Sequence, residues 1–568
     1  MVARLLCCHP SPANRSLFRM HKLLSFTFLV LFTLSSPEAL ADETQKLRAI
    51  LDAEWEYAME QSPTWASQMG DRRWNDKWPD ISVAAKEART RHAEEVLKRL
   101  NALDRSKLPP GEQVNLDLAK YETNLSLEEY AQRLWTLPLN QMGGVQTSDD
   151  LADSLRFETV KDYEDWIARM RALPAYIDQT IDLMRLGIAE KRTHAKIILR
   201  ALPGQIGQQI VEKPEESPFF KPFKKISPTI PEAERERLQA SAREAITQHV
   251  VPAYRKLREF VEKEYLPAST EAVGAWQWPN GESVYAFAAQ RSTTTKLSPK
   301  ELYELGIREV ERIGREMQAI MDQVGWKGSR DEFFEHLRTD PKFFYKTAEE
   351  LLDGYRATAK RIDPTLVRMF KTLPRMPYGV EPIPANVAPS SPTAYYRSPA
   401  ADGTRAGIFF ANLHRPGLRP KHEIMALCLH EAVPGHHLQI ALAQELSELP
   451  KFRRYGGYTA YSEGWGLYAE SLGTELGLYD DPYSKFGQLT FEAWRACRLV
   501  VDTGIHAMKW SRQQAIDYLT KNSAKTPFDA EIEIDRYIAW PGQALAYKVG
   551  ELKIKELRAE ATKALGDK

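Results

Sequence analysis

Between Asp42 and about Pro377 the apolar residues recur at helical rather than strand spacing, which restricts the chain to a mainly α fold. The stretch from Glu43 to Met59 sets Leu47, Ile50, Leu51, Trp55 and Tyr57-Ala58 close to a 3.6-residue period. Further on, Leu297-Ser298-Pro299-Lys300-Glu301 has the form of a helix start, with Ser298 as N-cap, Pro299 in the first turn and Glu301 completing a capping box. Leu302, Leu305, Val310, Ile313 and Met317 then mark one face. Pro-rich loops from Glu212 to Pro231 and from Arg375 to Pro399 punctuate the run, and no internal repeat or low-complexity tract interrupts it. A chain of 568 residues buries a sizeable core and divides into at least two lobes. The expected division is a helical lobe over 42–385 and a second lobe over 386–568.

The texture changes from Ala394 to Ala411. Tyr395-Tyr396-Arg397 and Gly407-Ile408-Phe409-Phe410 are aromatic and β-branched, separated by the turn-like Ala401-Asp402-Gly403. A hairpin is expected there, either simply packing the lobe or offering an edge to an extended peptide.

Ahead of the helices, Arg15, Arg19 and Lys22 precede an apolar run from Leu23 to Phe32, Ser35-Ser36-Pro37 breaks it, and Ala39-Leu40-Ala41 follows. This is the pattern of a signal peptide over 1–41, with Met20 as a workable start, so the mature protein is expected to be secreted or periplasmic. The run is too short for the roughly 20 residues of a membrane span, and no later segment is long and apolar enough for one. Acidic and basic residues balance at 77 each, which argues against a nucleic-acid or polyanion partner. Beyond the leader only Cys428 and Cys497 remain, both among apolar residues, and two cysteines make neither a disulfide scaffold nor a metal site.

The chemistry concentrates in Leu429-His430-Glu431-Ala432-Val433-Pro434-Gly435-His436-His437-Leu438-Gln439, which holds three of the 12 histidines. In the H-E-x-x-H zinc helix two histidines at i and i+4 bind one metal and the Glu serves as base. Here the second histidine comes two residues late. On an unbroken helix i+6 points about 120° away and lies roughly 9 Å along the axis. Two nitrogens bonding one zinc at about 2 Å cannot tolerate that, so the helix must bulge. Pro434 supplies the break, because it has no N–H for the carbonyl of His430 and its ring clashes there. Gly435 relaxes the backbone next to it. A catalytic zinc needs a third protein ligand and keeps its fourth position for water. Tyr461-Ser462-Glu463-Gly464-Trp465-Gly466-Leu467-Tyr468-Ala469-Glu470 starts another helix, and Glu463 in its first turn is the expected ligand. Glu470, seven residues on, shares that face and is a candidate to orient a ligand histidine.

These residues, with the later Pro541-Gly542-Gln543-Ala544-Leu545 and the early Ser62-Pro63-Thr64-Trp65-Ala66, resemble a large bacterial family catalogued as a domain of unknown function, DUF885. The likeness to DUF885 covers nearly the whole mature chain, and that family is similar in turn to the gluzincin metallopeptidases. It implies a zincin-like active-site helix beside the small sheet, with the Glu-Gly-aromatic segment carrying the glutamate ligand at Glu463. Some gluzincins lengthen the motif and keep a Gly before the second histidine, which favours His436 over His437. The two-residue insertion is where this chain departs from the pattern.

Downstream, Arg495, Arg498, Asp502 and His506 form a helical stripe. It is either an interhelix salt bridge or a carboxylate clamp beside the metal. Tyr537 and Tyr547 flank Pro541-Gly542-Gln543, and a Tyr hydroxyl commonly stabilises the oxyanion in metallopeptidases, Tyr547 being the candidate here. The expected protein is thus a zinc metallohydrolase acting on peptides, with His430, His436 and Glu463 on Zn2+ and Glu431 as base. Tyr547, His506 and Arg498 are the further catalytic candidates. The rival readings are a zinc hydrolase of another amide or an ester, and a periplasmic binding protein that kept the metal. The presence of Glu431 weighs against the last, since binding alone needs no base.

Overall fold

The computed structural model describes residues 37–385 and 388–566, so the leader expected over 1–41 falls almost wholly outside them. The first helix, α1 (Pro37–Gln61), buries Leu47, Ile50, Leu51 and Trp55, the residues whose spacing announced it. The long α2 (Val160–Ala189) runs through the main core of the first half. The capping box forms at α3 (Pro299–Gln323), where the Ser298 hydroxyl accepts from the Glu301 N–H at 3.3 Å. The Glu301 carboxylate returns the bond, accepting from the Ser298 N–H at 2.8 Å. Leu302, Val310, Ile313 and Met317 are buried on its inner face. Among the described residues no helix is long and apolar enough to cross a membrane.

A three-stranded sheet follows, in the order β1-β3-β2: β1 (Tyr378–Pro382), β2 (Ala394–Arg397) and β3 (Gly407–Ala411). The expected hairpin is β2 and β3, antiparallel with Ala394 opposite Ala411 and Arg397 opposite Ile408. Gly403 takes a φ of 74° in the turn region between them, a left-handed value that favours glycine. The third strand was hidden in the sequence. β1 lies inside the stretch that reads as a Pro-rich loop, and it pairs parallel with β3 from Tyr378–Gly407 to Pro382–Ala411. All of β3 is buried, because it is the middle strand and has helices against it.

The second half is mainly helical, and the helices that bear on the site are α4 (Ile424–Glu431), α5 (His436–Glu445), α6 (Thr459–Glu475), α7 (Pro482–Ala507), α8 (Pro527–Ala539) and α9 (Ala546–Leu565). α7 is the central strut, buried along nearly its whole length and packed on α3. One hydrophobic cluster joins Val310 and Ile313 of α3, Phe409 of β3, Leu429 of α4 and Val501 of α7. The core therefore runs straight across position 385. Cys428 and Cys497 are free and fully buried, and burial pushes both thiols well up.

Candidate metal centre

α4 sits in the core with every residue from Ile424 to Glu431 buried, so His430 and Glu431 project from a rigid support. The helix stops at Glu431, and Ala432 to Gly435 make a turn before α5 restarts at His436. The hydrogen bonds show how two extra residues are absorbed. The Ala432 N–H still reaches Cys428 O at 3.0 Å, and the His437 N–H then reaches back five residues to Ala432 O at 3.0 Å. Trp465 of α6 donates its Nε1–H to Pro434 O at 2.7 Å and pins the turn from outside. Gly435 has φ −73° and ψ −132°, a combination outside the helical and extended regions. A Cβ at that position would stand 1.8 Å from His430 O and 2.4 Å from Leu429 O. Only glycine lets the turn fold back so closely on the end of α4.

The outcome is that His436 faces His430. Their ring centroids are 4.8 Å apart at 86°. The Nε2 atoms of both lie 3.4 Å from the same Oε2 of Glu463, and the three ligand atoms all fall within 4.8 Å of one another. Three donors around a tetrahedral zinc, each bonded at about 2.0–2.1 Å, stand about 3.3 Å apart. The two histidine-to-carboxylate separations match that edge without adjustment, and the donor set of two imidazoles and one carboxylate suits zinc. Glu463 and Glu470 share a face of α6 as their spacing implied. Glu470, fully buried, accepts from His430 Nδ1 at 2.8 Å, which leaves Nε2 as the nitrogen facing the cluster and the one a metal would take once its proton is displaced.

α6 comes this close for a visible reason. A Cβ on Gly464 would lie 2.5 Å from Gly550 Cα, and one on Gly550 only 1.8 Å from Ala460 O, so α6 and α9 cross backbone on backbone. On the other side, Gly466 lies under the His430 ring, where a Cβ would meet Nε2 at 2.8 Å.

Burial opposes charge on His430, but the carboxylates of Glu463 and Glu470 outweigh it and hold its pKa up to about 10. Glu463, whose burial works the other way, is held well below the usual carboxylate range by hydrogen bonds with His430 and His436. Glu431 is buried and its pKa is raised by that burial, with the histidines pulling in the opposite direction. Among the described residues its carboxylate accepts no hydrogen bond, so it remains free to handle a proton.

His437 points elsewhere. Its Nε2 donates to Met376 O at 2.9 Å and its Nδ1 accepts from the Tyr396 hydroxyl of β2 at 2.8 Å, while burial lowers its pKa to about 4. Tyr547 of α9 does come to the centre, its ring 6.4 Å from that of His430 and nearly parallel to it. Its hydroxyl accepts from Arg536 at 3.1 Å.

The stripe on α7 makes buried contacts with α8, with Tyr285 and with the backbone at Gly542. Arg498 donates through Nε to the Tyr537 hydroxyl at 2.7 Å and through Nη2 to Glu533 at 3.0 Å. Asp502 accepts from Tyr285 at 2.6 Å and from the Gly542 N–H at 3.1 Å, and burial pushes its pKa up to about 7. His506 does not join the centre. Its Nδ1 accepts from the Ala275 N–H and its Nε2 donates to Tyr537 O, both at 3.0 Å, which makes it an internal brace. Arg536, Tyr396, Trp465 and Gly466 are contributors that sequence reading passed over. The last two at least had a signal, since they follow Glu463 within the same short segment.

Residues 63–568 match the family described as "Bacterial protein of unknown function (DUF885)". A solved structure described as "the putative lipoprotein from Colwellia psychrerythraea" is 28% identical over 92% of this chain and 94% of its own, with a TM-score of 0.84. A second, described as "a putative lipoprotein of unknown function from Shewanella oneidensis", is 16% identical over 93% of this chain and 94% of its own, with a TM-score of 0.64, and shows the shared fold. No curated protein matches the chain.

Proposed function

The chain belongs to the DUF885 family, and from its cluster of metal-binding groups we propose that it is a zinc-dependent hydrolase that cleaves peptide bonds outside the cytoplasm. One observation carries the reading: His430 and His436 both aim Nε2 at one oxygen of Glu463 at 3.4 Å, with the buried Glu431 next to His430 in the same helix, its carboxylate accepting no hydrogen bond among the described residues. When bound there, zinc supplies a Lewis acid that polarises the scissile carbonyl and makes a water acidic enough to ionise near neutral pH. Glu431 takes the proton of the attacking water and hands it to the leaving nitrogen. Its raised proton affinity suits that second task, since a strongly acidic carboxyl would not hold the proton long enough to deliver it. Glu470 keeps His430 in the tautomer and orientation the ligand set needs. Tyr547 faces the carbonyl oxygen as it gains charge. Arg536 occupies a lone pair of the Tyr547 hydroxyl, and the hydroxyl proton is free to be given.

A peptide is favoured over other amides and over esters by the sheet. β2 is an outer strand of the three, and its Tyr396 touches the motif helix at His437, so an extended chain paired with β2 would pass the metal centre. The likeness to gluzincins rests on the same residues. Export is supported by the basic and apolar leader pattern and by the lipoprotein description of the Colwellia relative.

The decisive experiment pairs metal analysis of the purified mature chain with turnover of a peptide library before and after chelation. Zinc near one equivalent and chelator-sensitive cleavage are expected. Glu431→Gln should keep zinc and fold while turnover drops by about 10²–10⁴. A zinc-loaded Gln variant as active as wild type would remove Glu431 from the mechanism, and a protein that binds no metal would end the proposal.

A further inference from the structure

Outside the metal ligands, three buried guanidinium groups that each have a nitrogen without an acceptor gather behind Tyr547. Arg498 stands with its guanidinium carbon 4.2 Å from the centre of the Tyr547 ring and Arg495 at 5.9 Å, while Arg536 donates to the Tyr547 hydroxyl. Arg495 and Arg498 are 4% and 1% exposed. Among the described residues, Nε of Arg495, Nη1 of Arg498 and Nε of Arg536 are buried without any hydrogen-bond partner. Two carboxylates serve these three guanidinium groups. Glu533 accepts from Arg498 at 3.0 Å and lies 3.6 Å from Arg536. Glu470 lies 3.6 Å from Arg495 and already accepts from His430. Three buried guanidinium nitrogens are thus left without an acceptor, and a buried donor of this kind is costly unless something supplies the missing partner.

We propose that Arg495, Arg498 and Arg536 form a carboxylate subsite that holds an anionic end of the substrate next to the metal centre. The inference rests on the peptidase reading for where cleavage falls, though not for the binding itself. Planar guanidinium forks match a carboxylate with paired N–H bonds, and Tyr547 links the cluster to His430. Through that ring, Arg498 is no more than about 11 Å from the His430 ring, a span of at most three or four residues of extended chain. The substrate class is therefore a peptide bearing a carboxylate within a few residues of the cleaved bond. The α-carboxylate of the C-terminus and an acidic side chain share this chemistry, and the C-terminus is the one every peptide offers.

The test is equilibrium binding of three probes to the full mature chain by calorimetry: an acetylated Ala-Ala-Phe free acid, its C-terminal amide, and acetylated Ala-Ala-Glu amide. Each is measured with metal-free protein and with zinc-loaded Glu431→Gln. A carboxylate also binds metal directly, so the metal-free arm is the one that decides. The free acid should bind about 10- to 100-fold tighter than its amide without metal. Arg498→Lys, which keeps the charge but loses the fork, and the more exposed Arg536→Gln should each erase most of that preference. Equal binding of acid and amide by the metal-free wild type overturns the subsite, and needs no variant to fold. So does a preference that survives in both variants with native melting curves. If the Glu amide binds like the acid, the carboxylate comes from a side chain. An acid preference in a protein that hydrolyses nothing keeps the subsite and discards the peptidase.

Discussion

His436 and His437 are neighbours in sequence, yet only one faces Glu463, and the four-residue turn ahead of them decides which. His437 has both nitrogens occupied by Met376 and Tyr396. His436→Ala should therefore purify without metal, since a first ligand of three is gone. His437→Ala should keep metal with activity lowered about 10- to 100-fold, the usual effect of a supporting group. Metal in both purified variants would mean that neither histidine closes the site. His506 makes a different prediction. It is buried and neutral, with its pKa lowered by burial from 6.5 to about 4. Between those values the unfolded chain binds a proton that the folded chain refuses. The stability His506 contributes is therefore complete above pH 6.5 and is lost as pH falls toward 4. His506→Gln should flatten the stability profile in that window by up to about 1.4 kcal/mol per pH unit. Denaturant midpoints at pH 4.5, 5.5 and 7 would show it, and parallel profiles for the two proteins would contradict it.

At the scale of elements, the centre is a meeting of α4, α5 and α6 whose approach is set by glycines rather than by the ligands themselves. Gly466 is the sharpest case, because the His430 ring rests on it with no room for a methyl group. Gly466→Ala should tip His430 away from Glu463 and weaken zinc binding by at least the roughly 10- to 100-fold seen when an orienting group is lost, with helix content unchanged. Competitive titration against a chelator of known affinity measures this. Native affinity in the variant would show that α6 has slack that the packing denies. These contacts also explain what sequence reading reached and what it missed. The break at Pro434-Gly435 was legible because proline chemistry is local. The true need for Gly435, the carbonyls of Leu429 and His430, was not, since it exists only once the turn has folded back. β1 was missed for a similar reason: a five-residue strand among prolines has too little periodicity of its own, and its partner β3 lies 25 residues and more away.

For the whole molecule, the hydrophobic core passes through position 385 without a seam, because α3 lies along α7 and Val310 and Ile313 share a cluster with Val501. A fragment spanning 42–385 would expose that face of α3. It should fail to give a cooperative melt and should bind hydrophobic dyes, whereas the full mature chain melts cooperatively. A fragment with native-like near-ultraviolet dichroism would show that the first half folds alone.

Helix content, the capped start at Ser298 and the hairpin were determined by the sequence alone, because each depends on residues close together in the chain, and the metal-ligand candidates were legible there from the His430–His436 motif and the Glu463 segment. Tertiary structure decided the rest. The sequence favoured His436 over His437, and the packing of the turn under Trp465 is what brings His436 to face Glu463. Tyr547 and Arg536 lie on two helices and meet beside His430 only because α9 crosses α6 backbone on backbone at Gly550. His506, three turns from Arg495 on the same helix, ends in the hydrophobic interior instead. A spacing fixes which face of a helix a side chain occupies, but what that face meets is set by packing across hundreds of residues.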